Sequence, residues 1–208
     1  MAVEAATFDI KFRERFLGME LYIENNVLLG FEKYTMWKED EYIHIVVPDT
    51  VTEIAQRAFD GCERIVGVTI PGSVKTIGEE AFFCCRNLQE IVMGEGIETI
   101  GDRAFEMGFF GDSLILPNSI KSIGAYAFHD TSIHTLHMQE GLESIGPGAF
   151  HSCHWLNAVT IPGTVKKLSE NAFADCSELE SVQVPEHLKD QVEKAFRDVY
   201  PEVEYICY

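Results

Sequence analysis

The chain has 208 residues, 46% of them hydrophobic, with 34 acidic against 16 basic side chains and a formal net charge of −18. That apolar content is too high for disorder, and no stretch approaches the roughly 18 consecutive apolar residues that a membrane-crossing helix needs. Acidity spread over the whole length repels phosphate backbones and anionic lipid, so neither nucleic acid nor membrane insertion is expected. It suits the solubility of a large exposed surface or, alternatively, a basic partner. Residues 1–9 have neither the basic start nor the apolar core of a secretory leader, which points to the cytoplasm. A cell-surface or secreted location is the alternative if the chain has been trimmed of one.

Residues 1–41 lack the periodicity of the rest and predict an N-terminal β-hairpin cap. Phe8, Ile10 and Phe12 alternate with polar residues, as do Met19, Leu21 and Ile23, the period-2 pattern of strands. Asn25-Asn26 supplies a turn that tolerates positive φ, and Val27 to Phe31 returns. The polar run at residues 38–41 predicts a loop.

Residues 42–185 predict a leading strand, with Ile43, Ile45 and Val47 alternating before Pro48, and then one unit written six times. The unit reads V-x-x-I-G-x-x-A-F-x-x-C-x-x-L-x-x-V-x-I-P-G-S. It starts at Val51, Val74, Ile97, Ile120, Leu142 and Val165, in steps of 23, 23, 23, 22 and 23 residues. A fixed period of this length is the signature of a solenoid, in which each coil buries the apolar edge of its neighbour.

Each copy has three parts. V-x-x-I-G predicts a short extended stretch with a corner at Gly78, Gly101, Gly124 and Gly146; Ala55 and Ser169 depart from that column. A-F-x-x-C predicts one turn of helix or 3₁₀ helix with Ala, Phe and Cys inward. L-x-x-V-x-I-P predicts a strand, and seven such strands would form one parallel sheet about 30 Å across. The proline column (Pro48, Pro71, Pro117, Pro162, Pro185) ends the strand and turns the chain, with Gly94 and Gln139 as departures. Cys62, Cys85, Cys153 and Cys176 share one column, which predicts a buried ladder of free thiols; no C-x-x-C pair suggests zinc.

Two copies are irregular. In the third, Gly111 stands in the Leu column, so that either Phe110 turns inward or Phe109 and Phe110 are both exposed. The fourth is one residue short between Phe128 and Ile133. Residues 186–208 predict a C-terminal helix-strand cap: Leu188, Val192, Ala195, Phe196 and Val199 repeat with helical period over 186–199, and Val203, Tyr205 and Cys207 alternate.

The motif I-G-x-x-A-F-x-x-C-x-x-L-x-x-I-x-I-P-x-S-V, with copies running from Ile77-Gly78 to Pro117-Asn118-Ser119, resembles the BspA-like class of leucine-rich repeats. Residues 26–31 resemble the segment that leads into such repeats. The resemblance covers about residues 23–185. It implies an α/β-type solenoid that is mostly β, a right-handed leucine-rich-repeat superhelix with a parallel sheet on one face. It also implies a role in protein–protein contact, often bacterial adhesion or host interaction in secreted members. The family has no shared catalytic residues.

The outward positions of the sheet are the candidate binding face. Those flanking the inward Val and Ile are Gly67, Thr69, Glu90, Val92, Ser113, Ile115, Thr135, His137, Ala158, Thr160, Ser181 and Gln183. From this row Glu90, Val92, Ile115, Thr135, His137, Thr160 and Gln183 are the candidate contacts for a protein or peptide partner. His129, His134, His137, His151 and His154 crowd copies four and five, with His129 and His151 stacked. No H-E-x-x-H or paired carboxylate accompanies them, so no metal site is expected. Trp155 is expected to be half-buried, and would be a contact anchor if exposed. No serine has a G-x-S-x-G context and no glycine run forms a phosphate loop. The expectation is a non-catalytic interaction scaffold without cofactor. A surface adhesion module is the alternative, and an enzyme or metal-binding protein the remote one.

Overall fold

The computed structural model describes residues 11–16, 19–31, 42–111, 113–199 and 203–208. The part of the first expected strand around Phe8 and Ile10, and the loop expected at residues 38–41, lie outside the described residues. The chain opens with β1 (Lys11–Phe16), β2 (Met19–Glu24) and β3 (Val27–Phe31), paired antiparallel in order. The β2–β3 turn is Asn25-Asn26, with φ of 51° and 64°. Both are left-handed values that a two-residue hairpin requires and that asparagine adopts at little cost.

Two families of parallel strands follow. The V-x-x-I stretches give β5 (Glu53–Ile54), β7 (Thr76–Ile77), β9 (Thr99–Ile100), β11 (Ser122–Ile123), β13 (Ser144–Ile145) and β15 (Lys167–Leu168). With the hairpin they form one nine-stranded sheet, β1-β2-β3-β5-β7-β9-β11-β13-β15. The stretches ending in the proline column give β4 (Ile43–Val46), β6 (Ile65–Ile70), β8 (Glu90–Met93), β10 (Ser113–Ile115), β12 (Thr135–His137), β14 (Ala158–Thr160) and β16 (Ser181–Val184). A 3₁₀ turn (Glu186–Leu188), helix α1 (Lys189–Ala195) and β17 (Glu204–Cys207) close the chain.

The second family is not the single seven-stranded sheet that the repeat predicts. It is divided into β4-β6-β8 and β10-β12-β14-β16-β17. The break falls at the third copy, where Gly111 offers no side chain to seat the start of β10 in the core. Phe110 swings in from the preceding position and is buried, edge-on to Phe105 and Phe128 with ring centroids 6.0 Å from each. One bond, from the Gly111 amide to the Gln89 carbonyl at 2.8 Å, reaches across. No ladder joins β8 to β10 among the described residues.

The A-F-x-x-C stretch is not helical either. It is two consecutive turns, each holding a residue in the left-handed region. Arg57, Glu80, Arg103, Tyr126, Gly148 and Asn171 form one column with φ of 54–60°. Gly61, Cys84, Met107, Asp130, Ser152, Asp175 and Asp198 form the other, with φ of 53–66°. Left-handed backbone costs a non-glycine residue about 1–2 kcal/mol. A helix would consume its amides internally; here alternate amides are free to bond the next coil. The amides of Arg57, Phe59 and Gly61 donate to the carbonyls of Glu79, Ala81 and Phe83 at 3.0, 2.8 and 2.8 Å. The pattern repeats from Glu80, Phe82 and Cys84 to Asp102, Ala104 and Glu106.

These turns stack the Ala-Phe pairs. Phe59, Phe82, Phe105, Phe128, Phe150 and Phe173 are fully buried. The hairpin adds Phe31 at one end of the column, 5.4 Å from Phe59, and Phe196 extends it at the other, 4.9 Å from Phe173. Phe196 belongs to Ala195-Phe196, which lies 23 residues after Ala172-Phe173. This is why α1 stops at Ala195 rather than continuing to residue 199: the Ala195 carbonyl accepts the Phe173 amide at 2.8 Å. β17 likewise pairs in parallel with β16 at an offset of 23, Ser181 with Glu204 and Val182 with Tyr205. The terminal element therefore carries the repeat's register.

The cysteine column is buried and free at Cys62, Cys85, Cys153 and Cys176, while Cys84 is half-buried and Cys207 exposed. Each thiol of Cys85, Cys153 and Cys176 donates to a phenylalanine carbonyl of the preceding coil (Phe59, Phe128, Phe150) at 3.2–3.3 Å. Burial pushes the Cys85 and Cys176 thiols well up and that of Cys153 up to about 11. At pH 8 a disulfide reagent should label Cys207 at once and Cys84 slowly. The four column thiols should react only on unfolding; fast reaction of more than two thiols would contradict their burial. Because the folded state keeps protons that an unfolded cysteine loses near pH 9, stability should fall as pH rises past that point.

Candidate binding face

In β4, β6, β10, β12, β14 and β16 the inward residues Ile45, Val68, Leu114, Leu136, Val159 and Val182 are buried, and Ile91 of β8 is half-buried, so the alternate residues face out. Of the seven candidate contacts, Glu90, Val92, Ile115, His137, Thr160 and Gln183 are exposed and Thr135 is half-exposed. They do not form one uninterrupted surface: Glu90 and Val92 lie on β8, and the other five lie beyond the break, on β10 to β16. Gly67, also on the outward row, is buried. A Cβ there would come within 2.3 Å of the His44 ring. That ring covers it, with its Nε2 3.2 Å from the Thr69 hydroxyl and its Nδ1 3.9 Å from the Glu90 carboxylate.

The second outward row runs Val46, Thr69, Val92, Ile115, His137, Thr160, Gln183, Ile206. Four of its members are aliphatic and exposed: Val46 by 39%, Val92 by 46%, Ile115 by 59% and Ile206 by 41%. Val46 and Ile206 are not among the residues chosen from the sequence. The signal for both is the 23-residue spacing, which connects Val46 to Thr69 and Gln183 to Ile206.

The nine-stranded sheet presents a different outer surface. Lys121 reaches Glu98 at 2.7 Å and Lys166 reaches Glu143 at 2.9 Å. Hydrogen bonding from Lys121 and Lys166 holds the Glu98 and Glu143 carboxyls below the ordinary range. These polar groups are satisfied by one another. At the coil ends, Glu95 accepts the amides of Asn118 and Ser119, each at 3.3 Å. Glu140 accepts those of Gly163 and Thr164, each at 3.2 Å. Both carboxylates follow a departure from the proline column, Gly94 or Gln139, and each clasps the next turn. Glu140→Ala should cost about 1 kcal/mol, measured by denaturant unfolding, with Glu180→Ala unchanged.

The histidines are distributed as follows. His129 and His151 are neighbours at 5.2 Å, ring edge to ring face. His129 Nδ1 lies 3.0 Å from Oε1 of the buried Glu106, a partner that the sequence did not suggest. His137 points from a different face, on β12. Among the described residues no group of three or more His, Cys, Asp or Glu is placed to hold a metal ion. Trp155 is not half-buried as expected but 56% exposed, one face of its indole resting on His134 at 5.4 Å. Phe109 is also 56% exposed, while Phe110 is inside. Among the described residues no helix is long and apolar enough to cross a membrane.

A family model described as a BspA type leucine-rich repeat region, in six copies, matches residues 31–110 and 111–206. The chain belongs to the BspA-type leucine-rich repeat family. Among solved structures, a T. pallidum leucine-rich repeat protein is 25% identical to this BspA-type chain, over 87% of it and 77% of the T. pallidum protein, with a TM-score of 0.51. A leucine-rich cell surface protein from Faecalibacterium prausnitzii shares the fold at 22% identity and a TM-score of 0.51, over 76% of this chain. The BspA-type chain spans about half, 52%, of the F. prausnitzii protein's length. No curated protein matches it.

Proposed function

We propose that this repeat chain is a non-catalytic scaffold that binds a protein or an extended peptide through the outward row of β4, β6, β8, β10, β12, β14, β16 and β17. The observation that carries this reading is the row of exposed aliphatic side chains, Val46, Val92, Ile115 and Ile206, on a chain of net charge −18. Exposed apolar groups that recur along one outward row gain by being covered. Between them His137, Thr160 and Gln183 offer hydrogen bonds without a charged cluster, which suits a neutral segment or a flat surface. The other sheet, whose charged outer groups already pair among themselves, lacks that incentive.

The test compares three forms in capture from a cell extract: the native chain, Val92→Glu with Ile115→Glu, and Lys167→Glu on the other sheet as a control. A protein recovered by the native chain and the control, and lost from the doubly substituted form with its circular dichroism unchanged, supports the reading. Glu90→Arg with His137→Ala should weaken the same capture. Equal recovery by all forms would overturn it.

A further inference from the structure

We propose that the cleft between the third and fifth coils is a saccharide site that takes a neutral pyranose ring. It has a volume of 330 Å³ and is lined by Arg86 and Phe109 on one side, His154 and Trp155 on the other, and Thr131 and Ser132 between. It exists because the fourth copy is one residue short. Its Thr131 and Ser132 are recessed and buried while the bulky residues of the flanking coils stand proud. Two coil spacings put those walls about 10 Å apart, the scale of a single six-membered ring.

The ligand class follows from what is spent and what is free. The floor hydroxyls are used internally, Thr131 donating to the Phe128 carbonyl at 2.9 Å and Ser132 to the Phe110 carbonyl at 2.8 Å. Phe109 and Trp155 are each 56% exposed, and His134, stacked on one face of the Trp155 indole, holds that ring in place before any ligand arrives. Sugar C–H faces pack on such rings, which cost little entropy when already held. The side chains of Arg86 and of Asp130, which also lines the cleft, make no hydrogen bond or ion pair among the described residues. A forked donor and a carboxylate acceptor suit vicinal hydroxyls. Their opposite charges leave the cleft with no net local pull on a charged ligand, and the acidic protein repels an anion, whereas a neutral polyhydroxyl ring can use both a donor and an acceptor.

The probes are maltotetraose, chitotetraose and mannotetraose, with tetralysine and tetraglutamate as charged comparisons. Trp155 emission is followed in a Trp37→Phe background, and saturation-transfer NMR on the unsubstituted chain reads the same event without that substitution. The expected result is a saturable response to at least one neutral oligosaccharide. It should weaken by about tenfold or more in Phe109→Ala and in Asp130→Asn, with circular dichroism unchanged. The proposal is overturned if none of the three gives a response at roughly 10 mM, if the response survives both substitutions, or if only a charged peptide binds.

Discussion

Phe128→Ala is expected to cost about 3–5 kcal/mol, the usual range for emptying a phenylalanine site in a core. The ring is fully buried, stacked 5.3 Å from Phe105 and 5.2 Å from Phe150 and met edge-on by Phe110. No side chain can collapse into the gap, because the backbone ladders fix the coil spacing. In a chain of this length the loss corresponds to a fall of roughly 10 °C in melting temperature. A solenoid is stabilised through nearest-neighbour interfaces, so the lesion should also divide one unfolding transition into two. Phe196→Ala, at the end of the column with a single stacked neighbour, should cost about half as much and leave one transition. A loss below about 1 kcal/mol for Phe128→Ala would be incompatible with a stacked core.

Gly101→Ala should cost about 3 kcal/mol although it adds one methyl group, because that group has nowhere to go. A Cβ at Gly101 would lie 2.7 Å from the Gly78 carbonyl carbon and the Glu79 nitrogen. The amide of Gly101 meanwhile donates to the Ile77 carbonyl at 2.8 Å. Relief requires the second and third coils to part, which breaks that ladder and loosens the Phe82–Phe105 stack, now at 5.1 Å. Gly163→Ala is the control: its Cβ would come no nearer than 3.7 Å, to the flexible Glu140 carboxylate, and the change should stay within about 0.5 kcal/mol. Equal effects of the two substitutions, measured by denaturant unfolding, would show that coil spacing does not depend on the glycine column.

The glycines illustrate what was legible in the sequence and what was not. Their column marks a constrained position, but spacing alone suggests a corner; the coordinates show close backbone approach instead, with no positive φ at Gly78, Gly101, Gly124 or Gly146. The phenylalanine ladder, the Asn25-Asn26 hairpin and the proline turns all follow from local chemistry repeated in register. The left-handed turns do not, because Arg57, Glu80, Arg103 and Tyr126 carry none of the usual glycine signature. Their conformation is dictated by amides shared between coils, which lie far apart along the chain. The break in the sheet was foreshadowed by Gly111 and the inward Phe110, yet its effect on β8 and β10 is a matter of tertiary pairing. On the candidate face, alternation sufficed to find six exposed residues. It could not foresee that His44 covers Gly67, or that a shortened fourth coil leaves Trp155 standing clear on His134.

The way the last helix ends has an implication for growth of the molecule. Phe196 meets Phe173 as Phe173 meets Phe150, at 4.9 and 5.0 Å and nearly parallel. This last coil thus carries the same thread as those before it: it would fit onto any preceding turn as well as onto the one it has. Removing or inserting a whole turn would change the length of the stack and leave the junction at Phe196 intact, so this architecture can vary its reach in whole steps.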